Sequence, residues 1–285
     1  MKIANRMEKL APSLTLSITA LANELKAAGK DILSFSAGEP DFDTPQVVKD
    51  AAIKAINEGK TKYTAVEGIK ETKQAIINKL KKDHNLDYTL DKIVISNGAK
   101  HSLFNLAQAL IDEGDEVIIP SPYWVTYPEL VVYSGGVPVF IETDESTEFK
   151  ITAKQLKEKI TPKTKILMLN SPSNPTGSIY SKDELLAIGE VLKGTDIIVL
   201  SDEMYEKIMY NGKKFTAAAE VSEDMYKRTV TINGLSKAVA MTGWRFGYIA
   251  TCDAALAKAM TKLQGQVTSN INTMTQYAAI PALEG

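Results

Sequence analysis

Histidine and cysteine are scarce in this 285-residue chain, which holds two of the first, His84 and His101, and one of the second, Cys252. A lone cysteine closes no intramolecular disulfide, which suits a reducing compartment. Cys252 follows the apolar run Tyr248-Ile249-Ala250 and reads as a small half-buried residue. Neither histidine sits in a carboxylate-and-serine context, so metal and Ser-His-Asp chemistry are both disfavoured and no metal is expected. His84 lies in the charged segment Lys81-Lys82-Asp83-His84-Asn85 and is expected to be solvated. Charge of one sign is lacking too. The formal net charge is −2, which gives no basic field for nucleic acid and no polybasic patch for a membrane. No apolar run reaches the roughly 18 residues of a spanning helix. No apolar signal core opens the chain, and the cytoplasm is the expected location.

What is present is the composition of a globular protein, 44% hydrophobic and 24% charged. Leu16 to Ala28 reads as a helix stopped by Gly29, followed by a strand Ile32-Leu33-Ser34-Phe35. Thr44-Pro45 has the form of an N-cap with proline at the first helical position, and Val47, Ala51 and Ala55 are spaced for a buried face. Gly68 to Lys82 reads as helix. Thr152 with Gln155, and Ser181 with Glu184, have capping-box spacing. From about residue 92 to 251 strands alternate with helices, and the strands are β-branched and almost continuously apolar. That pattern predicts an α/β fold, with a mostly parallel sheet covered by helices on both faces.

Several strands end in residues able to hold a ligand. Thr229-Val230-Thr231-Ile232 leads to Asn233-Gly234-Leu235-Ser236-Lys237, with Arg245 eight residues further on. Ile197-Ile198-Val199-Leu200-Ser201 ends in Asp202, with Tyr205 three residues later. Lys165-Ile166-Leu167-Met168-Leu169 runs into Asn170-Ser171-Pro172-Ser173-Asn174-Pro175-Thr176-Gly177. Ile93-Val94-Ile95 enters Ser96-Asn97-Gly98-Ala99-Lys100, where a helix start offers the backbone N–H groups of Ala99 and Lys100 to an anion. Trp124 sits in the proline-fixed loop Ser121-Pro122-Tyr123-Trp124, able to present a flat aromatic face. In an α/β sheet the carboxyl ends of the strands share one crevice, where ligands bind.

These stretches, with Ser36-Ala37-Gly38-Glu39-Pro40-Asp41-Phe42 and Lys62-Tyr63-Thr64, stand in the order found in pyridoxal 5'-phosphate (PLP)-dependent aminotransferases of fold type I, class I. The chain resembles the bacterial aspartate aminotransferase subgroup most. The resemblance implies a three-layer αβα large domain over residues 45–285, with a mixed, mostly parallel sheet. Residues 1–44 would form an arm and part of a small α/β domain. It implies ping-pong transfer of an amino group from an L-amino acid, aspartate or glutamate, to a 2-oxo acid by Schiff-base chemistry at Lys237. A lysine of lowered pKa suits that role. Asp202 would keep the pyridine nitrogen protonated. Asn174 and Tyr205 would donate to the phenolate oxygen, and Trp124 would stack on the ring. Ala99, Lys100, Ser236 and Arg245 would hold the phosphate. Gly38, Trp124 and Asn174 would meet substrate. Tyr63 would reach the cofactor of a second copy, implying a homodimer with a shared active site.

Two departures from the family pattern stand out. Family members continue past the position of Gly285 into most of the small domain, including an arginine that grips the substrate's α-carboxylate. The expectation is therefore a chain lacking the C-terminal small domain, with a PLP-shaped site and weak or no turnover. Gly234 also stands where some relatives place a phosphate-binding serine. Alternatives are a same-fold PLP enzyme for another amino acid (a lyase, a synthase, or an aromatic, alanine or prephenate-type aminotransferase) and an inactive PLP-binding protein. A nucleotide-binding Rossmann domain is disfavoured, because no Gly-x-Gly-x-x-Gly follows an early strand.

Overall fold

A computed structural model describes residues 1–12, 14–35 and 38–285. Ser13, Ser36 and Ala37 lie outside the described residues, the last two within the stretch Ser36 to Phe42 singled out above. The chain opens with helices α1 (Asn5–Glu8), α2 (Leu14–Ala27), α3 (Gln46–Asn57) and α4 (Lys70–His84). Strand β1 (Ile93–Asn97), helix α5 (Ala99–Leu110), β2 (Glu116–Ser121), α6 (Thr126–Tyr133) and β3 (Val137–Glu142) follow. Next come α7 (Ala153–Lys159), β4 (Thr164–Asn170), α8 (Lys182–Leu192), β5 (Ile198–Asp202), α9 (Glu223–Arg228) and β6 (Thr229–Gly234). The last elements are β7 (Phe246–Thr251), α10 (Ala254–Val267) and α11 (Thr273–Glu284).

The strands form one seven-stranded sheet in the order β1-β7-β6-β5-β4-β2-β3. β2, β3, β4, β5 and β6 pair in parallel, whereas β7 runs antiparallel to both β6 and β1. Every strand except β7 therefore points the same way, and the start of β7 lies beside the ends of β1 and β6. Alternate side chains of each strand face opposite ways. On one face Val94, Ile119, Ile166, Leu200, Ile232 and Ile249 pack with α5, α6 and α10. On the other, Ile93, Ile95 and Tyr248 pack with α3, α4 and α11. Ile118, Leu167 and Val199 meet α7, α8 and α9 on that same side. The result is the three-layer αβα arrangement that the alternating pattern predicts.

Both capping boxes form. The Thr152 hydroxyl accepts from Gln155 N, that of Ser181 accepts from Glu184 N, and each side chain at the third helical position returns a bond. Three local expectations are corrected. Ile32–Phe35 pairs with no strand, and Leu33 and Phe35 are 84% and 95% exposed. Apolarity alone suggested a strand there, but the sheet is bounded by β1 and β3 and takes up no further partner. Thr44 does not cap α3. Its hydroxyl donates to Ala240 O (2.7 Å) and accepts from Trp244 Nε1 (3.0 Å), and Pro45 holds the cap position. The buried face of α3 is Val48, Ala52 and Ala55, while Val47 is 57% exposed. Ala55 is buried as expected, but the stripe that leads to it runs through the positions three and seven residues earlier rather than four and eight, a choice between two faces that both fit helical spacing.

His84 is also corrected. Its side chain is only 7% exposed, with Nδ1 2.9 Å from Glu220 Oε2 and Nε2 3.0 Å from Glu206 Oε2. The carboxylates come from across the fold, so the charged residues beside it in sequence say nothing of its surroundings.

Candidate active site

Because six strands end on one edge of the sheet and β7 begins there, the loops at that edge converge. They line a cavity of about 570 Å³, within the usual range for small-molecule sites. Lys100, Trp124, Asn174, Asp202, Tyr205, Ser236, Lys237 and Arg245 all line it, as do Ala99 and Gly38. Of the residues singled out from the sequence, Tyr63 alone lies elsewhere. It is 90% exposed and lines a separate surface hollow with Thr61, Lys62 and residues 270–274.

Asp202 closes β5 and is buried, and it makes no ion pair among the described residues. Oδ2 accepts from the Tyr127 hydroxyl at 2.7 Å, and Oδ1 accepts from Met204 N at 3.2 Å. Burial raises its pKa, against the lowering effect of those two bonds. An isolated buried carboxylate on a cavity wall is a strong receptor for a cationic N–H group.

Lys237 follows β6, and its ammonium donates to Gly38 O. Nζ lies 6.0 Å from the centre of the Tyr205 ring. Burial lowers its pKa. Glu39 opposes that shift, and the Arg245 cation adds to it. Lys100 is shifted the same way, by burial and then by Arg245, and its Nζ stands 4.8 Å from the Trp124 ring centre.

At the start of α5, helix geometry leaves the N–H groups of Ala99 and Lys100 without intrahelical partners. Gly98, just before them, has φ +80°, and a Cβ there would lie 2.4 Å from Arg245 Nη2. The guanidinium thus rests against the bare backbone of this turn. Arg245 Nη1 donates to Thr242 O at 2.9 Å. Guanidinium, amide N–H groups and the Ser236 hydroxyl together make a receptor for a dianion.

Between these ends, Asn170 bridges β4 and β5. Its Nδ2 donates to Asp202 O (3.0 Å) and its Oδ1 accepts from Asn174 N (2.6 Å). Asn174 Nδ2 stands 3.5 Å from the Tyr205 hydroxyl. Burial raises the Tyr205 pKa and the Asp202 charge adds to this, with Asn174 opposing. Two lining residues, Asn170 and Tyr127, were not picked out from the sequence. Asn170 stands at a strand end like Asp202, a signal that was available. Tyr127 sits in the first turn of α6, and nothing in Thr126-Tyr127-Pro128 marks it.

Among the described residues no helix is long and apolar enough to cross a membrane, and no cluster of side chains could hold a metal ion. The family model for aminotransferase class I and II matches residues 30–285. The chain is 53% identical over 285 residues to an aspartate aminotransferase of Geobacillus stearothermophilus, covering 100% of this chain and 72% of that one. It is 51% identical over 286 residues to an aspartate/prephenate aminotransferase of Nitrosomonas europaea, with coverage of 100% and 72%. Among solved structures, the aspartate aminotransferase of Rhizobium meliloti superposes with a TM-score of 0.96 at 45% identity, covering 100% of this chain and 71% of that one. That of Thermus thermophilus with maleate gives 0.95 at 41% identity, with coverage of 99% and 73%. On these likenesses, over a shared fold, the chain belongs to the class I and II aminotransferase family.

Proposed function

We propose that the cavity holds PLP and that the chain moves the amino group of aspartate or glutamate to a 2-oxo acid. One observation carries this reading. A buried carboxylate, a lysine of lowered pKa, and a guanidinium beside a helix start line the same cavity. They suit the three distinct ends of PLP, its ring nitrogen, its aldehyde and its phosphate. The residues fit the group at two demanding points. Asp202 pairs with no cation among the described residues, and Gly98 has the bare backbone against which Arg245 rests.

When bound, PLP supplies an aldehyde that condenses with amines and a ring that accepts the electrons released at the substrate α-carbon. Asp202 holds a proton on the ring nitrogen. Asn174 and Tyr205 donate to the ring hydroxyl oxygen. Ala99, Lys100, Ser236 and Arg245 grip the phosphate. Lys237 would accept the aldehyde and, when its amine is free, would carry a proton away from the substrate α-carbon. Its depressed pKa leaves more of the free amine near neutrality, as a general base needs. Trp124 flanks the ring. Gly38, Asn174 and Trp124 meet substrate.

Tyr63, which does not line its own cavity, is assigned to the site of a second copy, which makes the active unit a homodimer. Residues 1–44 are read as arm and part of a small domain, and 45–285 as the cofactor domain. The single cysteine fits a cytoplasmic setting. A second reading, a chain that binds PLP but transfers amino groups slowly, is favoured by one fact. Among the described residues Arg245 is the only arginine lining the cavity, and this reading gives it to the phosphate.

The test is the absorption spectrum of the chain with PLP, in wild type and Lys237→Ala, before and after aspartate. A yellow band present in wild type and lost in the variant supports the cofactor reading. Bleaching by aspartate supports amino transfer, and a band that aspartate leaves untouched supports the slow reading. Absence of any band from a folded wild type would sink both.

A further inference from the structure

Asp202 is held by a residue that takes no part in the roles above. Tyr127 is buried, lies 75 residues before Asp202 in sequence, and donates its hydroxyl to Asp202 Oδ2 at 2.7 Å. Its ring also meets Trp124 edge-on, with centroids 5.6 Å apart and planes 88° apart. One side chain therefore touches both the carboxylate and the indole that border the cavity. We propose that Tyr127 is a positioning residue, whose hydroxyl fixes the Asp202 carboxylate and whose ring fixes the Trp124 indole, so that both meet the cofactor ring at a set angle.

The argument rests on geometry. Asp202 ends its strand, and its side chain would otherwise be free to rotate about two torsions. Tyr127 O–H and Met204 N–H take one oxygen each, which arrests that rotation. The hydroxyl is itself buried in the first turn of α6, a helix packed on the sheet through Val131, so its own position is set by the core. Charge-assisted bonds of this kind are the stronger ones, and they carry direction. The hydroxyl also favours the ionised carboxylate, the form that receives a protonated ring nitrogen, and so works against the upward push of burial. On the Trp124 side, the phenol and the indole meet at nearly a right angle, an edge-to-face arrangement that aromatic quadrupoles favour.

This inference rests on the PLP reading, and its test separates the two. Tyr127→Phe keeps the ring and removes the hydroxyl. In the cofactor-free protein, the Asp202 carboxyl titration is followed by NMR of the labelled side chain. The variant is expected to move the midpoint upward. PLP affinity, followed by fluorescence quenching, is expected to fall roughly tenfold or more, the scale of a hydrogen bond to a charged acceptor. The loss should disappear in an Asp202→Asn background, because the hydroxyl acts through that carboxylate. An unmoved Asp202 midpoint would overturn the proposal, and so would an equal loss of affinity in both backgrounds. If the wild type binds no PLP, the cofactor reading fails alone, since the titration still decides whether Tyr127 governs Asp202. Melting curves for Tyr127→Phe give the fold check. Should that variant unfold, fluorination of Tyr127 ortho to the hydroxyl is the substitute. It makes the phenol a better donor, and the Asp202 midpoint is then expected to move down.

Discussion

His84 Nε2 stands 3.0 Å from a carboxylate oxygen of Glu206, which lies four residues past Asp202. The other ring nitrogen faces Glu220 at 2.9 Å, and Lys79 reaches the same Glu206 at 2.5 Å. α4 is thereby pinned to the segment that carries Tyr205. Burial would lower the His84 pKa, but the bonds to Glu206 and Glu220 outweigh it and raise the value to about 9. The folded value exceeds the unfolded one, so this stabilisation is complete below about pH 6.5 and is lost as pH rises through about 9. His84→Asn is expected to cost about 3 kcal/mol near pH 6. The gap to wild type should close towards pH 9. Urea unfolding across pH checks this, and a gap independent of pH would sink the charged-histidine reading.

Glu203, next to Asp202 in the chain, shifts the same way. Burial, and then the neighbouring Glu206 charge, push its carboxyl up to about 7, against bonds from Ser201 Oγ and Ala218 N. For this acid, too, the folded pKa lies above the unfolded one. Its contribution is full below about pH 4.5 and is lost as pH rises through about 7. Glu203→Gln keeps an acceptor for Ser201 and Ala218 and removes the titration. The variant should match or exceed wild-type stability at about pH 8, with a flatter profile between about pH 5 and 7. A variant with the wild-type slope would show that Glu203 does not ionise in that window.

How much of this could be read from the chain itself depended on distance along it. Buried strands show as continuous apolar runs, and capping boxes complete themselves within four residues, so β4, β5, β6 and the starts of α7 and α8 were legible. Asp202 and Lys237 could be singled out because they stand at or just past strand ends, and Arg245 through the family resemblance. Asp202 and Lys237 meet because β5 and β6 are parallel neighbours, and Arg245 joins them only because β7 runs against β6 and β1, which no local pattern encodes. Tyr127, His84 and Thr44 escaped for one reason. Their partners lie 75, 122 and 196 residues away, and a side chain with such a partner looks ordinary where it stands. Thr44 was misread because its local surroundings had the form of a cap, while the hydroxyl found a better acceptor in the loop that also holds Arg245.

Gln264, in α10, gathers four bonds at a fully buried position. Its Nε2 donates to Val66 O (2.8 Å) and Ile95 O (2.9 Å), and its Oε1 accepts from Ser96 Oγ and Asn105 Nδ2, each at 3.0 Å. It ties α10 to β1, α5 and the loop before α4. Gln264→Leu fits the volume but strands these partners in the core. A loss of about 3 kcal/mol or more is expected in chemical unfolding, since each buried polar group left unpaired costs roughly 1–3 kcal/mol. A loss below about 1 kcal/mol would mean that water replaces the amide, and that the side chain is not what joins these elements.

Gly98→Ala tests the turn on which the Arg245 guanidinium rests. The added methyl would meet Arg245 Nη2 at 2.4 Å, in a backbone held at φ +80° that side chains rarely adopt. Either the guanidinium or the turn must shift, and in both cases the donors at the start of α5 lose their alignment. PLP and pyridoxal, which lacks the phosphate, report the two ends of the cavity separately. PLP affinity should fall at least about tenfold, the scale of a lost charge-assisted contact. Pyridoxal affinity should stay close to wild type, because Asp202, Asn174 and Tyr205 lie on other strand ends. Equal losses for both ligands would mean that the substitution disturbs the whole cavity. Unchanged PLP binding would mean that the anion does not lie between Arg245 and this turn.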